Sequence, residues 1–221
     1  MDPSKLIDLS HAIHNGLITF KGLPAPIICD YLTRESSRKN YTAGTEFQIG
    51  KIDMVANTGT YVDCPFHRYA DGKDLEQMAL ERFVDLPGVV VRVNHRQRIE
   101  IGAGDFGHVD VTGRAVLIHT GWSEHWATDA YFENHPFLTR EAALALRERG
   151  AVLVGIDSHN IDDTRTRNSR PVHTILLRQE ILIVEHLRGL EQLPAEGFSF
   201  SAVPPRIRGM GTFPVRAYAR V

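Results

Sequence analysis

The residues Ala56-Asn57-Thr58-Gly59-Thr60-Tyr61-Val62-Asp63-Cys64-Pro65-Phe66-His67 concentrate groups able to do chemistry. Asp63 supplies a carboxylate, which can accept a proton or bind a cation. His67 supplies an imidazole that takes and returns protons near neutral pH. Gly59 allows a backbone conformation closed to other residues. Pro65 fixes the chain and drives Cys64 toward an extended conformation. The mixture predicts a turn-like segment that presents Asp63 and His67 in a set geometry. Nothing near Cys64 would activate its thiol, so it reads as a small packing residue.

Further candidates lie at the ends of apolar runs. Ala115–Ile118 ends at His119, Ala151–Ile156 at Asp157, and Ile181–Val184 at Glu185. Ligands in α/β sheets collect at strand ends, which makes Asp157, His159 and Asn160 candidates for shaping a pocket. Arg170 offers a guanidinium suited to a carboxylate. Phe20 is a lone aromatic in a loop over residues 16–26, placed either to pack over a ligand or to cap the core. The aromatic, histidine-rich segment 123–138 carries His125, Trp126, Tyr131 and His135, and long loops of this kind line sites. Eleven histidines point toward metal or acid–base chemistry, with scattered surface histidines as the alternative.

The elements that must hold these residues follow from periodicity and punctuation. Strands are predicted at 6–11, at 46–55 with a bulge at Gly50, and at 89–93, 115–118, 151–156 and 181–184, with a last one over 213–219. Residues 34–44 read as exposed and polar, and 94–114 and 158–172 as connections. A short helix is predicted at 75–83. Thr139 is placed to cap a helix over 140–149 that Gly150 closes, and a helix or turn starts at His173. Hairpins early and αβ units late predict one mixed α/β domain over 1–221, with a partly barrel-like sheet flanked by helices.

Composition excludes several classes. The formal net charge is -2, so no bulk field draws the chain to nucleic acid or to an anionic membrane. Two cysteines make no disulfide framework, Met1-Asp2-Pro3-Ser4-Lys5 opens no signal peptide, and no apolar run reaches a membrane span. A cytoplasmic protein is expected.

The central stretch resembles the His-x-Gly-Thr-His-x-Asp-x-Pro-x-His signature of the putative cyclase family, which includes bacterial kynurenine formamidase and isatin hydrolase. Here it stands as Asn57-Thr58-Gly59-Thr60-Tyr61-Val62-Asp63-Cys64-Pro65-Phe66-His67. Ile7-Asp8-Leu9-Ser10-His11 and Gly155-Ile156-Asp157-Ser158 are similar to two further family segments. His173 and Glu185 fall where the family places a late His and a Glu on its metal. The resemblance implies a swivelling β/β/α-like fold, hydrolysis of a small amide, lactam or lactone, and a homo-oligomer, dimer or tetramer. It implies Asp63, His173 and Glu185 as ligands of one divalent ion, zinc or manganese, and His67 as the base.

Asn57 and Tyr61 depart from the signature, because they stand where the family has two metal-binding histidines. An amide oxygen is a weak ligand and a phenol needs deprotonation, so a two-metal centre is not expected and a single metal is left open. Three readings follow. In the first, His67 activates water for hydrolysis, with Tyr61 donating to the developing oxyanion. In the second, His67, Asp63 and Tyr61 work without metal in a cyclisation, dehydration or isomerisation, with Asn57 positioning substrate. In the third, the chain binds a ligand without catalysis.

Overall fold

The computed structural model describes residues 5–165 and 169–221. Residues 1–4 of the opening segment and 166–168 of the expected connection lie outside them.

Apolar runs buried along their length build the middle of the sheet. β1 is Leu6–Asp8, β2 Ile27–Leu32, β3 Ile49–Asp53, β4 Tyr61–Asp63, β5 Leu86–Arg92, β6 Glu100–Ile101 and β7 Ala115–His119. β8 is Phe137–Leu138, β9 Leu153–Ile156, β10 Leu182–Glu185, β11 Glu196–Ser201, β12 Thr212–Pro214 and β13 Tyr218–Arg220. Nine of them form one curled sheet in the order β1-β13-β11-β5-β7-β9-β10-β4-β12. β5, β7, β9 and β10 run parallel, and antiparallel strands flank them on both sides. Continuous Val, Ile and Leu suit such central strands, because both of their faces are covered.

Alternation sends the side chains to two cores. Val90, Leu117, Leu153, Val184 and Val62 join one, with Phe200 and Ala219 from the antiparallel side. Val91, Val116, Ile118, Val154 and Ile183 join the other, against two helices. Of the helices, α1 is the single turn Arg34–Ser37, α2 is Arg140–Glu148 and α3 is Pro171–Arg178. Thr139 Oγ1 accepts from Ala142 N at 3.2 Å and starts α2. Pro171 starts α3, where its missing N–H costs nothing. The mixed α/β, half-barrel fold expected from the sequence is therefore present.

Several elements differ. Residues 75–83 form turns with one 3-10 turn at Leu80–Arg82 rather than a helix. Asp74 takes the amides of Glu76 and Gln77 at 3.1 and 3.0 Å, and Leu75 N bonds Met210 O, so helical bonding does not continue past the turn from Asp74 O to Met78 N. Leu75, Met78 and Phe83 still reach the core. The final expected strand is two, β12 and β13. β2 and α1 have no counterpart in the pattern, being largely exposed or polar, and neither has β11, although its Phe198 and Phe200 are buried. The irregularity expected at Gly50 falls on the partner strand, between Asp30 and Leu32. Residues 61–63 are a buried strand, not a turn, because β10 and β12 pair with them on both sides.

Candidate active site

Strand register assembles the site. Tyr61 lies opposite Glu185, and Asp63 lies opposite Thr212. Residues 61 and 63 share one face of β4, while Val62 turns into the core. Gly59 takes a left-handed φ of 68° just ahead of this strand, donating its N–H to Thr19 Oγ1 at 2.8 Å. Gly211 lies so close to His67 that a Cβ there would stand 2.5 Å from its Cα. The turn carrying His67 is thus seated on β12.

Asp63 is fully buried. Its Oδ1 accepts from Thr212 Oγ1, and Thr212 Oγ1 lies 2.7 Å from His67 Nδ1. The single hydroxyl proton of Thr212 goes to the carboxylate, so its oxygen accepts from His67 Nδ1–H. The lone pair of His67 is left on Nε2, and the side chain lines the cavity. Burial would raise the Asp63 carboxyl, but His67, His173 and Thr212 overturn it and hold the group below its ordinary range.

His173 comes from the first turn of α3. Asp162 takes the amides of Val172 and His173 at 2.8 and 3.0 Å and the ring Nδ1 at 2.6 Å. One carboxylate thus caps the helix and orients the imidazole. Nε2 faces Asp63 Oδ2 at 3.6 Å and Glu185 Oε1 at 3.8 Å. Burial works against the imidazolium, yet Asp162, Asp63 and Glu185 raise its pKa to about 10. Glu185 is pushed up to about 7 by burial, with His173 opposing and Asp63 adding to the rise. Its carboxylate accepts from Tyr61 OH at 2.6 Å, Ile161 N at 2.7 Å and Asn160 Nδ2 at 3.3 Å. Burial, then Glu185 and Asp63, lift the Tyr61 phenol well above its usual range, so it is a neutral donor.

The donor set fits one divalent ion. Asp63 Oδ2 is buried and finds no hydrogen-bond partner among the described residues. The bond from His173 Nδ1 to Asp162 matches the outer carboxylate that commonly orients a metal-binding histidine. Ligand atoms of Asp63, His67 and His173 lie within 4.8 Å of one another. Tyr61 serves no such ion, since its proton is committed to Glu185 and its hydroxyl also meets His186 Nε2 at 3.3 Å.

A cavity of about 490 Å³ opens above these groups. Phe20, Asn57, Tyr61, His67, Arg170, His173 and Glu185 all line it, together with Asn160 and Arg68. Asp157 does not line it. Its carboxylate is taken up by Thr120 N at 2.7 Å, Thr120 Oγ1 at 2.6 Å and Gly121 N at 2.8 Å, on a neighbouring turn. His159 lies beneath the wall, its ring 4.6 Å from that of Phe20. Thr212 and Asp162 escaped the sequence reading, because nothing in spacing ties them to Asp63 or His173. The acidic pair Asp162-Asp163 shortly before a histidine was the one available signal.

A half-barrel sheet thus brings carboxylates and imidazoles from neighbouring elements into one site able to move protons or hold a cation. A family model described as "Putative cyclase" matches residues 7–163, and the chain belongs to that family. A kynurenine formamidase of Bacillus cereus is 27% identical over 221 residues, covering 100% of this chain and 99% of its own. One from Geobacillus thermodenitrificans is 30% identical over 83% of this chain and 85% of its own. A solved structure described as a potential metal-dependent hydrolase with cyclase activity matches with a TM-score of 0.79 at 26% identity, covering 98% of each chain. Isatin hydrolase A from Labrenzia aggregata shares the fold, with a TM-score of 0.83 at 21% identity over 99% of this chain and 94% of its own.

Proposed function

We propose that this protein is a hydrolase of small aryl formamides or related lactams and lactones, with His67 as the general base. The observation that carries the reading is the Asp63–Thr212–His67 chain, which fixes the His67 tautomer and aims a basic Nε2 into the cavity. His67 takes a proton from water as it attacks the carbonyl, then returns it to the leaving amine. Asp63 and Thr212 hold the ring in place through both transfers. The relatives named kynurenine formamidase and the metal-dependent hydrolase of similar fold support this class of reaction.

Asp63, His173 and Glu185 would hold one divalent ion, zinc or manganese. That ion would polarise the carbonyl and acidify water. Tyr61 keeps Glu185 oriented rather than serving the oxyanion, since its proton already has an acceptor. Phe20 supplies an apolar wall for an aryl ring, while Asn57 and Arg170 supply polar contacts at the same cavity. Arg170 also donates to Asp163 O at 3.0 Å, which anchors it at the start of α3.

A metal-free acid–base reaction is the second reading. It is favoured by the high pKa of His173, whose imidazolium would itself sit between Asp63 and Glu185. Elemental analysis of protein purified without chelator separates the two. About one zinc or manganese per chain is expected, and turnover unchanged by stripping the ion would sink the metal-assisted reading. His67→Ala should lose about 100- to 10,000-fold in kcat. Full turnover by that variant would remove His67 as the base.

The β2–β3 hairpin exposes Ile27, Tyr31, Ile49 and Ile52, and this apolar arm suits pairing with a second copy. A homo-oligomer is proposed on that basis. Cys29 and Cys64 are both free, which suits a reducing cytoplasm.

A further inference from the structure

We propose that His95, Glu124 and His125 form a second site for a divalent transition-metal ion of the zinc type, separate from the cavity. Their ligand atoms lie within 4.8 Å of one another. Both imidazoles present Nε2 to the same oxygen, Glu124 Oε1, at 3.3 Å from His95 and 3.5 Å from His125. Ligand atoms about 2.1 Å from a tetrahedral ion lie roughly 3.4 Å apart, so these two spacings can accommodate a shared ion.

The site is built, not merely crowded. His95 Nδ1 donates to Thr120 O at 2.8 Å, which fixes its tautomer and leaves the Nε2 lone pair for a cation. Asp157 locks the same turn from below through Thr120 and Gly121. The buried carboxylate that plays no part in the cavity thereby gains a role, because it supports the carbonyl that orients His95. Trp122 packs against both rings, at 5.2 Å from His95 and 4.5 Å from His125. His95 is nearly buried and His125 half-buried, whereas Glu124 is exposed, which leaves room for water to complete the shell. Two imidazoles and one carboxylate suit zinc or its neighbours better than calcium or magnesium.

Arg96 is the competitor. Its guanidinium contacts both Glu124 oxygens, at 3.1 and 3.2 Å. An ion must therefore take Oε1 while Arg96 keeps Oε2. This yields a signature that simple ion pairing lacks.

The test is calorimetric titration of the whole, metal-stripped protein with Zn2+ at pH 7.5. Wild type should bind one more ion per chain than His125→Ala or Glu124→Gln, both of which should retain wild-type turnover. Arg96→Ala should bind that extra ion at least several-fold more tightly. Zinc uptake identical in wild type and both ligand variants would overturn the proposal, as would weaker binding by Arg96→Ala. Uptake by the cavity ligands is counted separately with Asp63→Asn, so failure at one site does not decide the other.

Discussion

Thr212→Val tests the catalytic reading at its least expected residue. The substitution keeps the shape and removes the hydroxyl that links Asp63 to His67. Asp63 Oδ2 already lacks a partner among the described residues, so the variant leaves a fully buried carboxylate without its Thr212 donor. A hydrogen bond to a charged group contributes about 1.5–3 kcal/mol. If that energy orients the base, kcat falls by roughly 10- to 150-fold, since each ~1.4 kcal/mol is a factor of ten. Thr212 does not line the cavity, so KM should change little. Thr212→Ser should recover most of the loss. The assay follows arylamine release from an aryl formamide, with the melting temperature confirming folded protein. A folded Thr212→Val enzyme within twofold of wild-type kcat would refute the relay.

Three further outcomes are expected. Tyr61→Phe removes the 2.6 Å bond to Glu185 and should lower stability by about 1.5–3 kcal/mol in denaturant titration; an unchanged midpoint would mean the bond contributes nothing. Gly211→Ala should abolish activity or folding, because its Cβ would overlap the His67 backbone; an active, stable variant would show that the β12 seat is pliant. Acid should destabilise the fold through the buried His159, held at about 3 by burial and His135, and the half-buried His11, held at about 4 by burial and Arg188, with burial lowering His135 and His186 in the same direction. Both values lie below the unfolded ~6.5, so the stabilisation is present above that pH and is lost as pH falls toward 4 and 3. His159 and His11 together should contribute roughly 2–3 kcal/mol per pH unit between 6 and 5, and His159→Phe should reduce the measured slope by about 1.4 kcal/mol per pH unit at most; a slope unchanged in that variant would refute the assignment.

The sequence made the central sheet legible because β7, β9 and β10 are apolar throughout and end at polar residues. It made α2 legible through Thr139 and Gly150. The hairpin strands β2 and β3 both face solvent, and β3 was legible only through its alternation around Gly50. The expected helix at 75–83 failed because its apolar spacing serves a looped chain that Asp74 ties down. At the site, local motif residues were readable, whereas Thr212 lies 149 positions from Asp63 and meets it only through strand pairing. Asp157 misled because a strand end can present its carboxylate sideways, to backbone amides, as readily as into a cavity.

The register of β10, β4 and β12 has a consequence for how this centre can change. Tyr61 meets Glu185, and Asp63 meets Thr212, because main-chain pairing places them opposite one another. Each position is a socket whose location the ladder guarantees whatever side chain fills it. Exchanging Tyr for His at 61 would place an imidazole opposite Glu185 at the same position of the ladder. Inserting or deleting one residue within β4 would instead turn Tyr61 and Asp63 into the core and Val62 into the site. Strand pairing therefore fixes where the groups of this centre stand and makes it intolerant of length change, while its chemistry depends on which side chains fill those places.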